Sequence, residues 1–532
     1  ALRGLLHGHR TGDLERHLAR VDLVVRAVDE GRADVDEGVL VGQATLSGNK
    51  LRAFAATLPD PTLRDLGIVG QPGSTSAAAG LSASIVAATA YTGNSQESTA
   101  FVFDLRRSSP IALGGLGGKR TVATAIDGAI VAGWSTSSAN DVPTRHAFYV
   151  DLPRGTGAID LGTLPGGAYS EAVAVDGLVI VGVAGAEYGI RGRVKAFNAK
   201  TGKPAWTFYT VPGPGEVGHD TWPQDNEIWQ DGGAPVWNTP AVDPELGLIY
   251  FGTGNPGPDY NGSIRKGDNL FSTSIVAVDA KTGKYRWHFQ HVHHDIWDYD
   301  AASPVTLFDI TIDGVPRKGI AEASKTGWVY ILDRTDGTFL FGAPYVRRLT
   351  WATGLDAKGR PQRVANTEPT VDGRRGCPSL DGASNWYSTS FNPVTNLYYV
   401  QVNEKCGIFT RTPAPWEAGK GYMGGSARQA PDEPAQRLLR AFDIRTGKPV
   451  WELPQTGTVN SWGGVLSTAG GVVFFGEDSG AFMAADAKTG RPLWSFQTSQ
   501  LWKASPMTYE FDRTQYVAMA VGPSIVAFAL VH

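Results

Sequence analysis

Apolar residues occur along this chain in short runs, and glycine, proline, asparagine or aspartate separates one run from the next. The runs SIVAAT, AIVAGW and VIVGVA in the N-terminal third, and LIYF further on, are of this kind. Short apolar runs with turn residues between them indicate strands, because helices need longer stretches of apolar residues at helical spacing. The pattern therefore predicts an all-β chain.

The beginning of the chain carries a different pattern. Apolar residues at helical spacing are followed by Gly31 as a stop signal, and they are Leu14, Leu18, Val21, Val25 and Val28. This spacing is compatible with a short amphipathic helix. The stretch LVVRAV within it could equally form an edge strand that helps to close a ring of sheets. The sequence leaves both interpretations open.

A first internal repeat occupies the N-terminal third. An Ala-Phe pair recurs every 47 residues, at positions 53–54, 100–101 and 147–148, and a Leu-Gly pair follows each copy, at Leu66, Leu113 and Leu161. Each unit has room for three or four short strands and contains Gly, Ser and Asn turn residues. A repeat of this length and pattern is typical of one blade of a β-propeller.

A second repeat fills the rest of the chain and has the form Ala-x-Asp-x-x-Thr-Gly-Lys-x-x-Trp. Copies are read at residues 196–206, 277–287, 441–451 and 484–494, with a degenerate copy at 331–341. The acidic side chain can accept backbone amides and Gly can take a positive φ, so the motif predicts a tight turn between two outer strands. We expect the terminal Trp residues to pack in the core between neighbouring blades.

Together the two repeats predict a single β-propeller domain over residues 1–532. We expect eight blades, each a four-stranded antiparallel sheet, with residues 1–180 forming the N-terminal blades and residues 181–532 forming the others. No linker is long or polar enough to separate domains.

Composition supports this architecture and excludes several functions. The chain has 532 residues, of which 42% are hydrophobic and 19% charged, and its 66 Gly and 32 Pro are scattered between apolar runs. A net charge of −4 without a basic block argues against nucleic acid or an anionic membrane as partner. No apolar run reaches the roughly 18 residues that a transmembrane segment needs, and the N-terminus lacks a signal-peptide pattern.

Two cysteines, Cys377 and Cys406, lie 29 positions apart. They could be two buried free thiols, or they could close a loop as a disulfide, which would place the protein outside the cytoplasm. Spacing alone does not decide between these alternatives.

Oxygen-bearing side chains follow several of the predicted strands. Asp298 and Asp300 stand two apart in HVHHDIWDYD, so both carboxylates could face one point, where they would repel each other unless a cation lay between them. Asn255 in GTGNP and Glu187 in GAEYGIRG each follow an apolar run. This all-oxygen set suits calcium or a trivalent lanthanide and does not suit zinc or copper.

From about residue 178 to the C-terminus, the sequence resembles pyrroloquinoline-quinone (PQQ)-dependent alcohol dehydrogenases of the methanol and ethanol dehydrogenase group. The segments that carry the resemblance, in order, are GAEYGIRG, GGAPVWNTPAVDPELGLIYFGTGNP, GDNLF, WDYD, SKTGWVYILDR, GASNW and SWGG. The N-terminal third is different, and with RHAFYVD and IDLGTLPGG it resembles the HAF repeats of bacterial extracellular proteins.

The resemblance implies a metal site and a catalytic base. By position, Glu187, Asn255 and Asp298 would bind the metal ion, and Asp298 would also take the proton of the alcohol. In this family a second aspartate two residues after the base, here Asp300, marks the lanthanide-dependent branch. We therefore expect a lanthanide in preference to calcium.

The resemblance also implies contacts to the quinone. Trp237 would be the flat floor on which the ring stacks, and Lys325 would direct its cation at the quinone oxygens. The remaining cofactor-binding residues implied by position are Gly185, Ala186, Asn385, Trp386 and Trp462.

The implied protein is a periplasmic or extracellular dehydrogenase that oxidises a small alcohol and passes electrons to a cytochrome c-type acceptor. Cys377 and Cys406 match a paired position in the family, which implies that they are bonded; a homodimer is also compatible with the sequence. The alternative is a non-catalytic β-propeller that binds or scaffolds a partner, because the N-terminal blades that normally supply cofactor contacts are replaced. The retained set of metal-type ligands favours the enzyme.

Overall fold

The computed structural model describes residues 97–529, with gaps at 107–109, 128, 137–144, 163–169, 176, 313, 432, 458–461, 512–513 and 522–523, and six strands before residue 97. The segment expected to form a helix or an edge strand, residues 14–31, lies outside the described residues. The described chain consists of β-strands, turns and five short 3₁₀ helices, which confirms the all-β prediction. These helices are Leu152–Arg154, Ala186–Tyr188, His219–Thr221, Ile228–Asp231 and Gly262–Ile264.

The strands are numbered along the chain. The first twelve are β1 Asp34–Asp36, β2 Val39–Leu46, β3 Lys50–Thr57, β4 Arg64–Asp65, β5 Thr75–Ser82, β6 Ile85–Tyr91, β7 Ser98–Asp104, β8 Ile111–Ala112, β9 Thr121–Asp127, β10 Ile130–Thr136, β11 Arg145–Asp151 and β12 Ile159–Gly162. The next twelve are β13 Ser170–Val175, β14 Leu178–Val183, β15 Arg193–Asn198, β16 Pro204–Tyr209, β17 Ala241–Asp243, β18 Leu248–Gly252, β19 Ser274–Asp279, β20 Tyr285–Gln290, β21 Thr306–Ile312, β22 Val315–Ala323, β23 Trp328–Asp333 and β24 Phe339–Pro344. The last sixteen are β25 Ala352–Leu355, β26 Pro361–Arg363, β27 Arg374–Gly376, β28 Ser390–Asn392, β29 Leu397–Glu404, β30 Gly407–Arg411, β31 Gly425–Gln429, β32 Gln436–Asp443, β33 Pro449–Pro454, β34 Val465–Ser467, β35 Val472–Gly476, β36 Ala481–Asp486, β37 Pro492–Gln497, β38 Met507–Phe511, β39 Thr514–Val521 and β40 Ser524–Ala529.

Each repeat unit becomes one antiparallel sheet in which neighbouring strands pair. Strands β1–β4, β5–β8, β9–β12, β13–β16, β17–β20, β21–β24 and β34–β37 form seven such sheets, β28-β29-β32-β33 forms an eighth, and β38–β40 follow as a three-stranded sheet. The three Ala-Phe pairs all lie on a third strand, at β3, β7 and β11. The change of repeat type near residue 180 falls inside β14, so it does not coincide with a boundary between sheets.

Successive sheets pack face to face. From the second sheet to the last, a cluster of buried apolar residues lies between each sheet and the next, and both sheets contribute side chains to it. Phe148, for example, packs with Ala87 and Val102 of the preceding sheet. This is the packing of a β-propeller. Among the described strands no pairing joins the first sheet to the last, so the eight-bladed ring remains a prediction.

The second repeat forms the predicted turn between third and fourth strands. In the turn after β19, Asp279 accepts the backbone N–H groups of Lys281 and Thr282, and Gly283 has φ 65°. The indole N–H of Trp206 donates to the backbone oxygen of Ala280 in that turn, which belongs to the next sheet, at 3.2 Å. Trp287 and Trp451 make the same bond to the sheet that follows each of them. The prediction that these tryptophans pack between sheets is therefore confirmed.

An excursion between β24 and β32 carries the two cysteines. Strands β27, β30 and β31 form a small sheet, and Cys377 and Cys406 are joined by a disulfide beside it, with their Cα atoms 4.4 Å apart. The disulfide prediction is confirmed. Within the described ranges, the structure contains no helix with the length and hydropathy that a membrane crossing requires.

Candidate metal and cofactor site

The loop between β20 and β21 is shaped by an aspartate that the sequence analysis did not single out. Asp295 is fully buried, and its two carboxylate oxygens accept the backbone N–H groups of Trp297 at 3.0 Å and Tyr299 at 2.8 Å. Between these two anchors Asp298 adopts φ 60°, in the left-handed region. Tyr299 is buried and donates its hydroxyl to the oxygen of Pro378 at 2.6 Å. The loop is therefore held in a defined conformation.

Asp298 and Asp300 lie on either side of one cation. The ammonium group of Lys325, in the turn after β22, is 3.3 Å from Asp298 Oδ1 and 3.2 Å from Asp300 Oδ2. Lys325 is 3% exposed and the Asp298 side chain 15%, so this three-charge cluster is largely shielded from solvent. The structure thus brings together the two acids that the sequence spacing placed on one side.

Two further predicted ligands lie beside this cluster. The backbone N–H of Asn255 donates to Asp300 Oδ1 at 2.6 Å, and Asn255 is 1% exposed. Glu187 lies in the short helix that follows β14, and it is half-buried. Its backbone oxygen accepts the N–H of Tyr422 at 2.5 Å. Residues from three sheets and one loop therefore meet at one end of the strands.

Burial dominates the electrostatics of these acids. It raises the pKa of Asp298 well above its usual range; the charge of Asp300 raises this pKa further and Lys325 opposes it. Burial also raises the pKa of Glu187, again with a contribution from Asp300. Burial alone would lower the pKa of Lys325, but the carboxylates of Asp298 and Asp300 raise it overall. One lysine does not balance so many buried acids.

The donor set fits a hard cation. Glu187, Asn255, Asp298 and Asp300 offer only oxygen atoms, which are the ligands that calcium and lanthanide ions take. Among the described residues, one group of three Asp, Glu, His or Cys side chains has its ligand atoms within 4.8 Å of one another. It consists of Cys377, Cys406 and Glu433. The disulfide consumes both of its thiols. The carboxylate oxygens around Lys325 lie farther from one another than the ligand atoms of this trio do.

The residues expected to contact a quinone lie next to the same cluster. Trp237 follows a segment in which Ala234 donates its N–H to the oxygen of Asn255 and Val236 donates to that of Val183. This segment therefore runs between the ends of β14 and β18. Trp237 is 38% exposed, so its indole can offer a face to a ligand. In the turn that follows β14, Gly185 has φ 114° and Ala186 is buried.

A second group of predicted contacts is tied to the lysine. The N–H of Ala383 donates to the backbone oxygen of Lys325 at 3.0 Å, and Ser303 Oγ donates to the oxygen of Asn385 at 2.9 Å. Trp386 follows directly and is stacked on Trp462, with ring centroids 6.5 Å apart. Aromatic side chains thus stand close to the acid cluster in the fold.

The sequence matches one protein family over half of its length. The family is described as PQQ, glucose/ethanol/alcohol dehydrogenase, β-propeller domain, and the matched residues are 146–346 and 452–517. The match thus begins in β11, within the third sheet and before the change of repeat type near residue 180.

Individual proteins to which the chain is similar are also named as alcohol dehydrogenases of this kind. The quinoprotein alcohol dehydrogenase PedH of Pseudomonas putida is 38% identical over 373 residues, a match that covers 65% of this chain and 62% of that protein. The quinohemoprotein alcohol dehydrogenase ADH IIB of Pseudomonas putida is 40% identical over 366 residues, covering 65% of this chain and 52% of that protein. The chain therefore spans less than two thirds of the length of either relative.

A solved structure shows that the likeness in fold extends further. A europium-containing methanol dehydrogenase superposes with a TM-score of 0.72 at 23% identity, covering 97% of this chain and 94% of that chain. The fold is thus shared over nearly the whole chain, including the N-terminal sheets.

Proposed function

Since the chain belongs to the family of PQQ-dependent glucose, ethanol and alcohol dehydrogenase β-propellers, we propose that it oxidises small alcohols to aldehydes or ketones with PQQ and a bound cation. The observation that supports this most directly is the arrangement of Asp298 and Asp300 around Lys325, with Asn255 bonded to Asp300. When bound, the quinone would supply the acceptor for two electrons, and the cation would supply Lewis acidity.

Asp298 is proposed as the catalytic base. Burial and the neighbouring Asp300 raise its pKa, so that its ionised form is a stronger base toward an alcohol hydroxyl proton than an exposed aspartate would be. Asp295 fixes the loop on both sides of Asp298 and so orients the carboxylate. Lys325 holds the carboxylate from the other side.

The cation is proposed to be held by Glu187, Asn255, Asp298 and Asp300. Three of these ligands are acids, and a high count of charged oxygen ligands favours a trivalent ion over a divalent one. We therefore propose a lanthanide, with calcium as the weaker alternative. The quinone would lie against Trp237, with Gly185, Ala186, Lys325, Asn385, Trp386 and Trp462 as further contacts.

The electrons are proposed to leave to a cytochrome c-type acceptor outside the cytoplasm. The disulfide between Cys377 and Cys406 supports this location, because such bonds persist in oxidising compartments. One relative is named a quinohemoprotein, which places a quinone and a haem in that protein.

Reconstitution tests the proposal. Purified protein is loaded with PQQ and either La³⁺ or Ca²⁺, and dye-linked oxidation of short alcohols is measured. We expect activity that is higher with La³⁺, and a loss of about 10²- to 10⁴-fold in kcat for Asp298→Asn, because that variant lacks the base. Asp300→Ala should lose the preference for La³⁺ first.

The control is Asp220→Asn, which removes an exposed carboxylate from the short helix His219–Thr221. It should match the wild type with both ions. A wild-type protein that binds no PQQ and oxidises no alcohol with either ion would instead favour a propeller that scaffolds a partner.

A further inference from the structure

A fourth carboxylate lies buried beside the proposed cation site and plays no part in the function proposed so far. Asp259 is 1% exposed, and its Oδ1 atom has no hydrogen-bond partner. A buried carboxylate oxygen without a donor is costly, so its retention calls for a group that compensates it.

The nearest buried cation forms no salt bridge with the carboxylate of Asp259, although its charge partly offsets the rise in the pKa of that carboxyl. Arg265 is fully buried, but its N–H groups donate to the backbone oxygens of Pro258, Asp259 and Asp295 and to Asn269 Oδ1. The guanidinium group thus holds the backbone of the loop and leaves the carboxylate of Asp259 without an ion pair among the described residues.

The backbone places Asp259 next to the proposed ligands. It lies four positions after Asn255, on the loop that follows β18. The neighbouring Tyr260 donates its N–H to the oxygen of Met423 at 2.9 Å, and Tyr422 donates its N–H to the oxygen of Glu187. A single dipeptide therefore joins the Asp259 loop to the Glu187 turn.

The charges agree with this placement. Burial raises the pKa of Asp259, and the largest contributions from other charges come from Glu187 and then Asp300. With Asp259 included, four carboxylates and the ammonium of Lys325 leave three negative charges when all are ionised, and the opposite charges of Asp295 and Arg265, which also act on Asp259, cancel. A trivalent ion would neutralise this set, whereas a divalent ion would leave one charge uncompensated.

We propose that Asp259 is a further oxygen ligand of the cation, that it coordinates through Oδ1, and that it strengthens the preference for a trivalent ion. This rests on the proposed function, because it assumes that a cation binds at Glu187, Asn255, Asp298 and Asp300.

The test is metal binding by the full chain without PQQ, which needs no turnover. Tb³⁺ is titrated and its luminescence is excited through the protein's aromatic residues; La³⁺ and Ca²⁺ are then used as competitors. Luminescence lifetimes in H₂O and D₂O count the water molecules on the bound ion. The variants are Asp259→Ala, which removes the ligand, and Asp259→Asn, which keeps the shape and removes the charge.

For Asp259→Ala we expect Tb³⁺ affinity to fall by about 10- to 100-fold, and the bound ion should gain at least one water molecule. For Asp259→Asn the loss should be larger for Tb³⁺ than for Ca²⁺, because the lost interaction scales with the charge of the ion. Asp259→Glu should restore part of the affinity. Thermal unfolding of each variant without metal shows whether it is folded. If Asp259→Ala does not fold, the isosteric Asp259→Asn variant alone tests the proposal.

The matched control is Asp231→Asn, which alters another partly buried acid whose backbone oxygen lies near Gly257 of the same loop. It should bind Tb³⁺ like the wild type. Wild-type binding that persists unchanged in both Asp259→Ala and Asp259→Asn, with the same number of bound waters, would overturn the role of Asp259 and leave the proposed function standing. A wild-type protein that binds none of the three ions would overturn both.

Discussion

The N-terminal and C-terminal sheets share one architecture and differ in what they bury. Before residue 180, the buried polar side chains that the structure describes are all Ser or Thr, as in Thr89, Thr121 and Ser135. From Arg193 onward the buried set includes acids, lysine, arginine and histidine, among them Asp295, Asp300 and Lys325. The two parts thus share their sheet architecture, whereas the buried charged side chains that the structure describes belong to the C-terminal part, in strands such as β22 (Glu322) as well as in loops.

The strongest test of this contrast removes one buried polar group from each part. Asp295→Ala leaves two buried backbone N–H groups without an acceptor, so we expect a loss of about 2–4 kcal/mol in the free energy of unfolding. Because the loop then no longer fixes Asp298 and Asp300, Tb³⁺ affinity should fall as well, by about tenfold or more. Denaturant unfolding and Tb³⁺ titration measure the two effects.

The comparison variant is Thr89→Val, which removes the acceptor of the Ala123 N–H in the N-terminal part. It should cost about 1–3 kcal/mol of stability and leave Tb³⁺ affinity unchanged. Cation binding that weakens equally in both variants would show that the N-terminal sheets are not merely a support.

The turn motif of the C-terminal sheets offers a second test. Gly283 has φ 65°, and a Cβ atom there would lie 2.4 Å from the indole of Trp206, while Gly177 has φ 73° and nothing within 4 Å. Gly177→Ala should cost about 1–2 kcal/mol, which is the strain of the left-handed conformation. Gly283→Ala should cost about 1–3 kcal/mol more, because the tryptophan must move. Equal losses in thermal unfolding would argue against packing through this turn.

Acid sensitivity gives the smallest expected difference. Burial lowers the pKa of His291 to about 3, below its ordinary value of 6.5, so its contribution to stability is complete above pH 6.5 and is lost as the pH falls toward 3. Between pH 7 and 5.5, we expect the wild type to lose about 1 kcal/mol relative to His291→Phe. Subtracting the two unfolding curves removes contributions from titrating groups remote from position 291, while Glu322, which lies 3.7 Å away, is measured together with the imidazole.

Thr89→Val should keep the wild-type dependence on pH, because the change lies in the part without described buried histidines. A His291→Phe curve parallel to the wild type from pH 7 to 5.5 would contradict the assigned burial of the imidazole.

Much of the fold could be predicted from the sequence because its repeats report local geometry. The Ala-Phe units and the Thr-Gly turns correspond to sheets because the positions of turns and apolar strands are set by neighbouring residues. The cysteine pair shows the limit of this reasoning. A separation of 29 positions is compatible with bonded or free thiols, and only the pairing of β27 with β30 brings Cys377 and Cys406 together.

The acids of the site divide in the same way. Asp298 and Asp300 could be singled out as candidate ligands because they stand two apart, so that both carboxylates can face one point. Asp295 accepts the backbone N–H groups of the residues two and four positions later. An Asp in a loop is only a weak sequence signal for this role, because many loop aspartates make such bonds. Asp259 could not be identified, because its burial depends on Arg265 and on residues 422–423, which are distant in sequence. Contacts of this kind have no signature in the composition of either segment.

The indole bonds that Trp206, Trp287 and Trp451 each make to the next sheet have a consequence for how such a chain can be assembled. The acceptor is a backbone oxygen, as in Ala280 and Arg334, so the receiving turn needs a shape and no particular side chain. Between the third and fourth sheets, Tyr149 and Ile159 instead cover the turn at Gly202. A sheet without the terminal Trp can therefore join the series if bulky residues cover the following turn. Exchange of whole units at that junction would leave the acid-bearing loops untouched.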